Sequence, residues 1–288
     1  MSLPAVFEAY PPLTDMVGKS GWLRLRLEPR RGRTVVADQY WRIPLQALPP
    51  TYQDADDEAY LYLLNPTGGI VQGDRLHTEI ALAAGARSVM STQSATKVYR
   101  MDETYAEELN DFRLHGDSVL EWLPDQTIPF AGSRLHRRTR IHADADATFI
   151  VTEMLAAGRV ARGERFAFEH LVIELQACVG DDRRIVDRLH LSPGEDRPHR
   201  PGLWHGYAHY GALYAYSRLL GEELVEGLAE VIESHDGVYG SAGQPERGFA
   251  VARILADTTW RLHEVLFDAW DLLRRALIGK PARQLRKL

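Results

Sequence analysis

Cysteine is almost missing from this chain: Cys178 is the one thiol in 288 residues. No intramolecular disulfide can form and no cysteine metal cluster can be built, which fits a reducing compartment, so a cytoplasmic location is expected. Beside Val179, Cys178 reads as a small buried hydrophobe rather than a nucleophile. Long apolar runs are missing too. None approaches the ~20 residues that span a bilayer, so no membrane partner is expected. Met1-Ser2-Leu3-Pro4-Ala5 has no basic segment ahead of an apolar one, so no signal peptide is expected either. An excess of positive charge is also lacking. The net charge is −6 and the arginines are scattered among acids, which argues against nucleic acid as a partner. The local run Arg134–Arg140 reads as the solvated face of a strand, with a partner-binding surface as the alternative.

Catalytic signatures are equally scarce. There is no Gly-x-Ser-x-Gly elbow and no His-Glu-x-x-His. His205 and His209 stand at i and i+4, which could face a metal from one helix, but Gly206 and Gly211 argue against a helix there. They read as structural or surface histidines. The glycines of Asn65-Pro66-Thr67-Gly68-Gly69-Ile70-Val71-Gln72-Gly73-Asp74 resemble a phosphate loop only at first sight. A phosphate loop needs Gly-Lys-Ser/Thr opening a helix. Here Gly73 is followed by an acid and then by a strand-like stretch, so the glycines read as a tight bend between strands.

Period-two alternation is plentiful and dominates the chain. Trp22–Leu27 and Thr34–Ala37 read as a hairpin around Gly32. Ala59–Leu64 reads as an apolar strand, and Leu76, Thr78, Ile80 and Leu82 share one strand face. Ser88-Val89-Met90, Ser118-Val119-Leu120 and Thr148-Phe149-Ile150 recur every 30 residues, each after a short turn. Such a period marks stacked units that bury apolar faces against their neighbours. Later come a strand from Phe168 to Gln176, a turn at Gly180–Arg184, a strand from Val186 to Leu191 and a polar loop from Pro193 to Gly202.

Helices are expected only late. Glu222 and Glu223 open one that runs to Glu233, where acids favour a helix N-terminus. A strand at Phe249–Leu255 leads into the second helix, with Asp257 as N-cap and Gly279 and Pro281 as stop signals. Trp260 and Trp270 are expected in the core. The reading is one domain over residues 1–288, mainly β: solenoid-like stacked sheets (about 20–220 and 248–256) with helices at about 222–233 and 258–278 packed on one flank.

Acids cluster in or beside the motif-like runs: Asp74, Glu121, Glu153 and Glu164. A stack could bring such carboxylates together inside, where a cation or water must offset their burial. Carboxylate and water ligands hold a first-row ion loosely, which suits an ion in transit. The bland alternative leaves each acid exposed at the surface or paired with an arginine such as Arg159 or Arg162.

Four ordered runs carry a resemblance. They are Asn65–Asp74, Thr92-Gln93-Ser94-Ala95-Thr96-Lys97-Val98-Tyr99-Arg100, Leu120–Phe130, and Glu153 with Gly158-Arg159, Gly163-Glu164 and Phe166. They resemble the urease accessory protein family UreD, also called UreH. Two positions depart from its pattern: Gln72 stands where a small residue is usual, and Asp125-Gln126 reverses the usual order of glutamine and acid.

The resemblance implies a coiled β fold with two helices and a non-enzymatic accessory role in nickel insertion into urease. The implied partners are UreF, the GTPase UreG and apo-urease subunits. No resident cofactor is implied, only nickel(II) in transit through an internal passage for which Asp74, Glu121, Glu153 and Glu164 are the candidate lining residues. Two other readings stay open. One is a carbohydrate-active β-helix enzyme using Glu121 and Glu153 as acid and base. The other is a pure scaffold without a metal route.

Overall fold

The computed structural model of the chain describes residues 3–53, 57–181, 183–196 and 203–285. Part of the expected polar loop from Pro193 to Gly202 lies outside the described residues. A one-turn helix, α1 (Ala5–Glu8), precedes a hairpin of β1 (Ser20–Arg30) and β2 (Arg33–Arg42). The expected hairpin is therefore present and longer at both ends. A two-residue strand, β3 (Gln46–Ala47), leads to β4 (Ala59–Leu64).

From there the chain coils. It passes through β5 (Arg75–Leu82), β6 (Arg87–Thr92), β7 (Thr96–Val98), β8 (Ala106–Leu114), β9 (Val119–Trp122) and β10 (Thr127–Pro129). It continues through β11 (Arg134–Ala143), β12 (Thr148–Ala156) and β13 (His170–Val179). Strands β5, β8, β11 and β13 stack in parallel in one sheet, while β4, β6, β9 and β12 stack in parallel in the other. The result is a β-solenoid of about four turns. Antiparallel strands close the row: β14 (Arg183–Leu191) beside β13 and, after α2 (Pro193–Asp196), β15 (His209–Tyr216) beside β12. Helix α3 (Glu222–Glu233), β16 (Val238–Gly243), β17 (Phe249–Ala256) and α4 (Thr259–Leu277) complete the chain.

The sheets face each other across the first core. Leu76, Ile80 and Leu82 of β5 point inward beside Phe112 and Leu114 of β8, and Leu120, Phe149 and Val151 point inward from the opposite sheet. Burying such side chains contributes about 1.5–3 kcal/mol each. The expected stacked repeat forms, but its register is not a strict 30. Leu120, not Ser118, lies beside Ser88, and Phe149 lies beside Leu120. Turns of unequal length between the strands absorb the difference.

A second core lies on the outer face of the second sheet, where α3 and α4 cover it. Val225, Leu228 and Ile232 of α3 and Leu262, Val265, Leu266, Ala269, Trp270 and Leu273 of α4 are buried there. The two expected helices therefore sit on one flank. Thr258, not Asp257, is the N-cap of α4, its hydroxyl accepting from the Arg261 N–H at 3.3 Å. Trp270 is in the core as expected, whereas Trp260 is 71% exposed. Strand β14 already starts at Arg183, where a turn was expected, and His209 begins a strand rather than a helix. Cys178 is half-buried, against the expectation of a fully buried thiol, because its position on β13 points to the outer face of the first sheet.

Candidate functional site

The motif runs meet at one corner of the solenoid. Ile70 bridges to Val98, and β7 pairs with β10 through Thr96–Thr127 and Val98–Pro129, so successive corners stack like the strands. Tyr99 packs edge-on against Phe130, with ring centroids 5.0 Å apart, and the Arg159 guanidinium lies 4.5 Å over the Phe130 ring. Gly69 is needed where the corners touch. A Cβ there would lie 2.6 Å from both the Lys97 carbonyl oxygen and the Tyr99 ring.

Behind this corner, between the sheets, is a cavity of about 130 Å³. Its walls include Asn65, Gly69, Thr96 and Lys97 from the motif runs and Thr78, Glu108 and Asn110 from the sheet interior. The polar groups fall there by strand parity. Thr78 of β5, Asn110 of β8 and Thr139 of β11 stand in register on the inward face, as do Glu108 and Arg137 one pair away. Arg137 is buried and bridges the two sheets. Its Nε and Nη2 donate to Glu108 Oε2 at 3.0 and 2.8 Å, and its Nη1 donates to Thr127 Oγ1 at 2.8 Å and Glu153 Oε1 at 2.5 Å. Desolvation alone would push the guanidinium down, but the two carboxylates overcome it and hold Arg137 firmly cationic. Burial raises the Glu153 carboxyl above its usual range; Arg137 opposes that rise and Glu108 adds to it.

Beyond Glu153 the polar line continues. Tyr210 and Tyr214 of β15 project inward, and both feel the Glu153 and Asp187 carboxylates. Burial foremost, then Asp187, pushes Tyr210 up to about 12. The Tyr214 hydroxyl donates to Asp187 at 2.6 Å, and Arg253 donates to the other oxygen of that carboxylate at 2.6 Å. Asp187, Tyr210 and Arg253 line an open groove of about 1090 Å³ between the edge strands β14 and β16.

The four acids singled out in the sequence take different places. Glu153 belongs to this interior line. Glu121 lies on the opposite face of the same sheet, beside Ile150 rather than Val151. There its Oε1 accepts from Arg274 at 2.5 Å and its Oε2 from the Trp270 indole N–H at 2.5 Å. Arg274 also reaches Glu58 at 2.7 Å, so one buried guanidinium serves two carboxylates. Burial raises Glu121 to about 7; Arg274 opposes the rise and Glu58 reinforces it. Asp74 ties its own turn, accepting from the Val71 N–H at 2.9 Å beside Lys19. Glu164 pairs with Arg159 and accepts from the Ala131 N–H at 2.9 Å, which braces the stacked corner. Among the described residues no three His, Cys, Asp or Glu converge as a metal centre. Glu121 and Glu153, being on opposite sheet faces, cannot act together on one sugar.

The Arg134–Arg140 run is a strand but not a solvated face. Strand β11 is central, so Arg137 points into the core, while outward His136 is fully buried, with Nε2 3.0 Å from Glu174 Oε2. His209 is buried too. Its Nδ1 lies 2.8 Å from the Gln126 amide nitrogen and 3.3 Å from the Thr259 hydroxyl. Burial, with Arg165 and His263 nearby, lowers it to about 4. His205 is exposed.

Sequence reasoning passed over Glu108, Asn110, Arg137, Glu58 and Arg274. One signal was available: Arg274 falls on the apolar stripe of α4 four residues after Trp270, where a charge has to be paired. Arg137 carried a similar signal as a charge at an inward strand position, but it could be used only once the strand's parity was known.

The fold and this interior line define a coiled β protein with a polar seam between its sheets. The family model described as UreD urease accessory protein matches residues 19–287, and the chain belongs to that family. It is 33% identical over 268 residues to the urease accessory protein UreD of Actinomyces naeslundii, covering 93% of this chain and 98% of that one. The UreD of Klebsiella aerogenes is 32% identical over 273 residues, covering 94% and 96%. The UreD of Haloarcula marismortui is 31% identical over 272 residues, covering 94% and 91%.

Proposed function

We propose that this chain is a non-enzymatic urease maturation factor of the cytoplasm, one domain that works with UreF and UreG on apo-urease and conducts nickel(II) between its two sheets. The observation that carries this reading is the run of polar groups between the motif-lined cavity and the groove: Glu108 at the cavity, Arg137 and Glu153 paired behind it, and Tyr210, Tyr214 and Asp187 at the groove, where the tyrosines feel the Glu153 charge. A core built only for stability would more simply be apolar, because the cost of desolvating the Arg137, Glu108 and Glu153 charges offsets much of what their pairing returns. Nickel is cargo in this reading. It meets oxygen ligands that exchange readily, with no closed four-ligand site among the described residues to trap it.

Of the four acids first considered, Glu153 retains a place along the route. Glu121, Asp74 and Glu164 act as structural pairs. The Arg137 guanidinium sits between Glu108 and Glu153 as a resident cation, and it has to yield one carboxylate for an ion to pass. No described helix is long and apolar enough to cross a membrane.

The test is urease activation in cells carrying the full accessory set, with this chain deleted, restored, or restored as Glu108→Gln or Glu153→Gln. Deletion should abolish activation and wild type should restore it. Either amide variant should assemble with its partners yet load less nickel into urease. Full nickel loading with both variants together would refute the route and leave a scaffold; full loading after deletion would refute the maturation role.

A further inference from the structure

The hairpin edge of the first sheet is exposed and partly apolar. Strand β2 is the last strand of the first sheet and pairs only with β1 among the described residues. Its first part is covered, since the Thr34 N–H donates to the Asp57 carbonyl and the Tyr52 hydroxyl to the Thr34 carbonyl. From Asp38 onward the side chains turn outward to solvent. Tyr40, Trp41 and Ile43 there are between 44% and 50% exposed, and Met16 and Val17 nearby are 56% and 98% exposed. Tyr40 lies on the outer face beside Trp22 and Arg24, while Trp41 and Ile43 lie on the other face, and Arg42 donates to the Ser20 carbonyl and to Asp15, drawing the Met16–Val17 turn against the end of β2.

Natural sheet edges are usually blunted by charge or proline to prevent pairing. Here the two charges on the free stretch are both engaged within the hairpin and its flank: Asp38 leans across to Arg24 of β1 at 3.7 Å, and Arg42 is held by the Ser20 carbonyl and Asp15. The surroundings are basic: residues 15–42 hold seven Lys and Arg against three acids, in a chain of net charge −6. Arg24 and Arg26 of β1 stand on the outer face beside the free stretch, their side chains half exposed.

We infer that β2 is a strand-addition site for an extended segment of a partner protein, one alternating apolar and acidic residues. The segment's main chain completes the unpaired edge, its apolar side chains cover Trp41 and Ile43, and its carboxylates meet the arginines of the hairpin. Main-chain pairing supplies affinity in such complexes and the alternate side chains supply selectivity.

The experiment uses the full chain and a fluorescein-labelled ten-residue peptide alternating Glu and Val, with a Lys-for-Glu peptide as control. Binding is read by fluorescence anisotropy and by amide hydrogen exchange along residues 38–42. The Glu peptide should bind and slow exchange there, and the Lys peptide should bind at least about tenfold more weakly, equivalent to ~1.4 kcal/mol. Ile43→Asp should weaken the Glu peptide by a similar factor. Arg24→Gln with Arg26→Gln, both on the outer face of β1 beside this stretch, should weaken it as well, with an unchanged circular dichroism spectrum showing that the fold is intact. Unslowed exchange with both peptides, or equal binding of the two, would overturn the inference. So would a concentration-dependent dimer that Ile43→Asp abolishes and that takes up no peptide, because a second copy of this chain would then be the occupant.

Discussion

Arg274→Met is the sharpest test of how the helical flank is held. The arginine is 1% exposed and is shared by Glu58 and Glu121, and Glu121 also accepts from Trp270. Methionine fills similar volume but leaves Glu121 buried without a counter-charge and Glu58 with only Lys280, 3.6 Å from its other oxygen. Removing one partner of a buried pair costs about 3–5 kcal/mol. The cost depends on pH in a definite direction. Glu121 already titrates at about 7 in the folded chain, above its unfolded value of 4.5. A raised carboxyl stabilises the fold fully below its unfolded pKa, and that contribution is lost as pH climbs through the folded value. Without Arg274 the carboxyl rises further, so the variant's deficit should be small at pH 5 and grow towards pH 8. Urea unfolding followed by circular dichroism at the two pH values measures this. A deficit below about 1 kcal/mol at pH 8, or one equal at both pH values, would refute the reasoning.

Three other outcomes are expected. His209 is depressed to about 4 from 6.5, so its contribution is present above 6.5 and lost as pH falls towards 4; at about 1.4 kcal/mol per unit, His209→Gln should remove roughly 3 kcal/mol of acid sensitivity, read as melting temperature against pH. Gly69→Ala should destabilise by about 1–3 kcal/mol in urea unfolding, because its Cβ would press on the Lys97 carbonyl and the Tyr99 ring. Arg137→Met should cost about 3–5 kcal/mol at neutral pH, and adding Glu108→Gln and Glu153→Gln should restore much of it, since the stranded carboxylates are then gone.

Much of the fold was legible because burial leaves a periodic trace. Leu76, Thr78, Ile80 and Leu82 alternate along the sequence as they do in the sheet. The stripe in Glu222–Glu233 set that helix to the residue. The coiled stack could be expected from three similar strands spaced evenly along the chain. Strand β8, at Ala106–Leu114, shows less: Glu107 and Glu108 mask its alternation, although Glu108 points inward. The N-cap of α4 was misplaced by one residue because Asp257 and Thr258 are both good caps, and only backbone geometry chooses between them.

What the sequence determined by itself was therefore the class of fold, the two helices and the family, since each is written in local periodicity or in contiguous motif residues. What only the tertiary structure decided was which charges meet. Glu121 and Glu153 both lie in stacked β strands of one sheet, yet the pleat sends one to Arg274 on a distant helix and the other to Arg137 across the core. The parity of a strand is fixed by the whole sheet packed around it, and a one-residue shift would exchange the two faces. The sequence holds both carboxylates, and packing alone assigns one to the helical flank and the other to the polar seam.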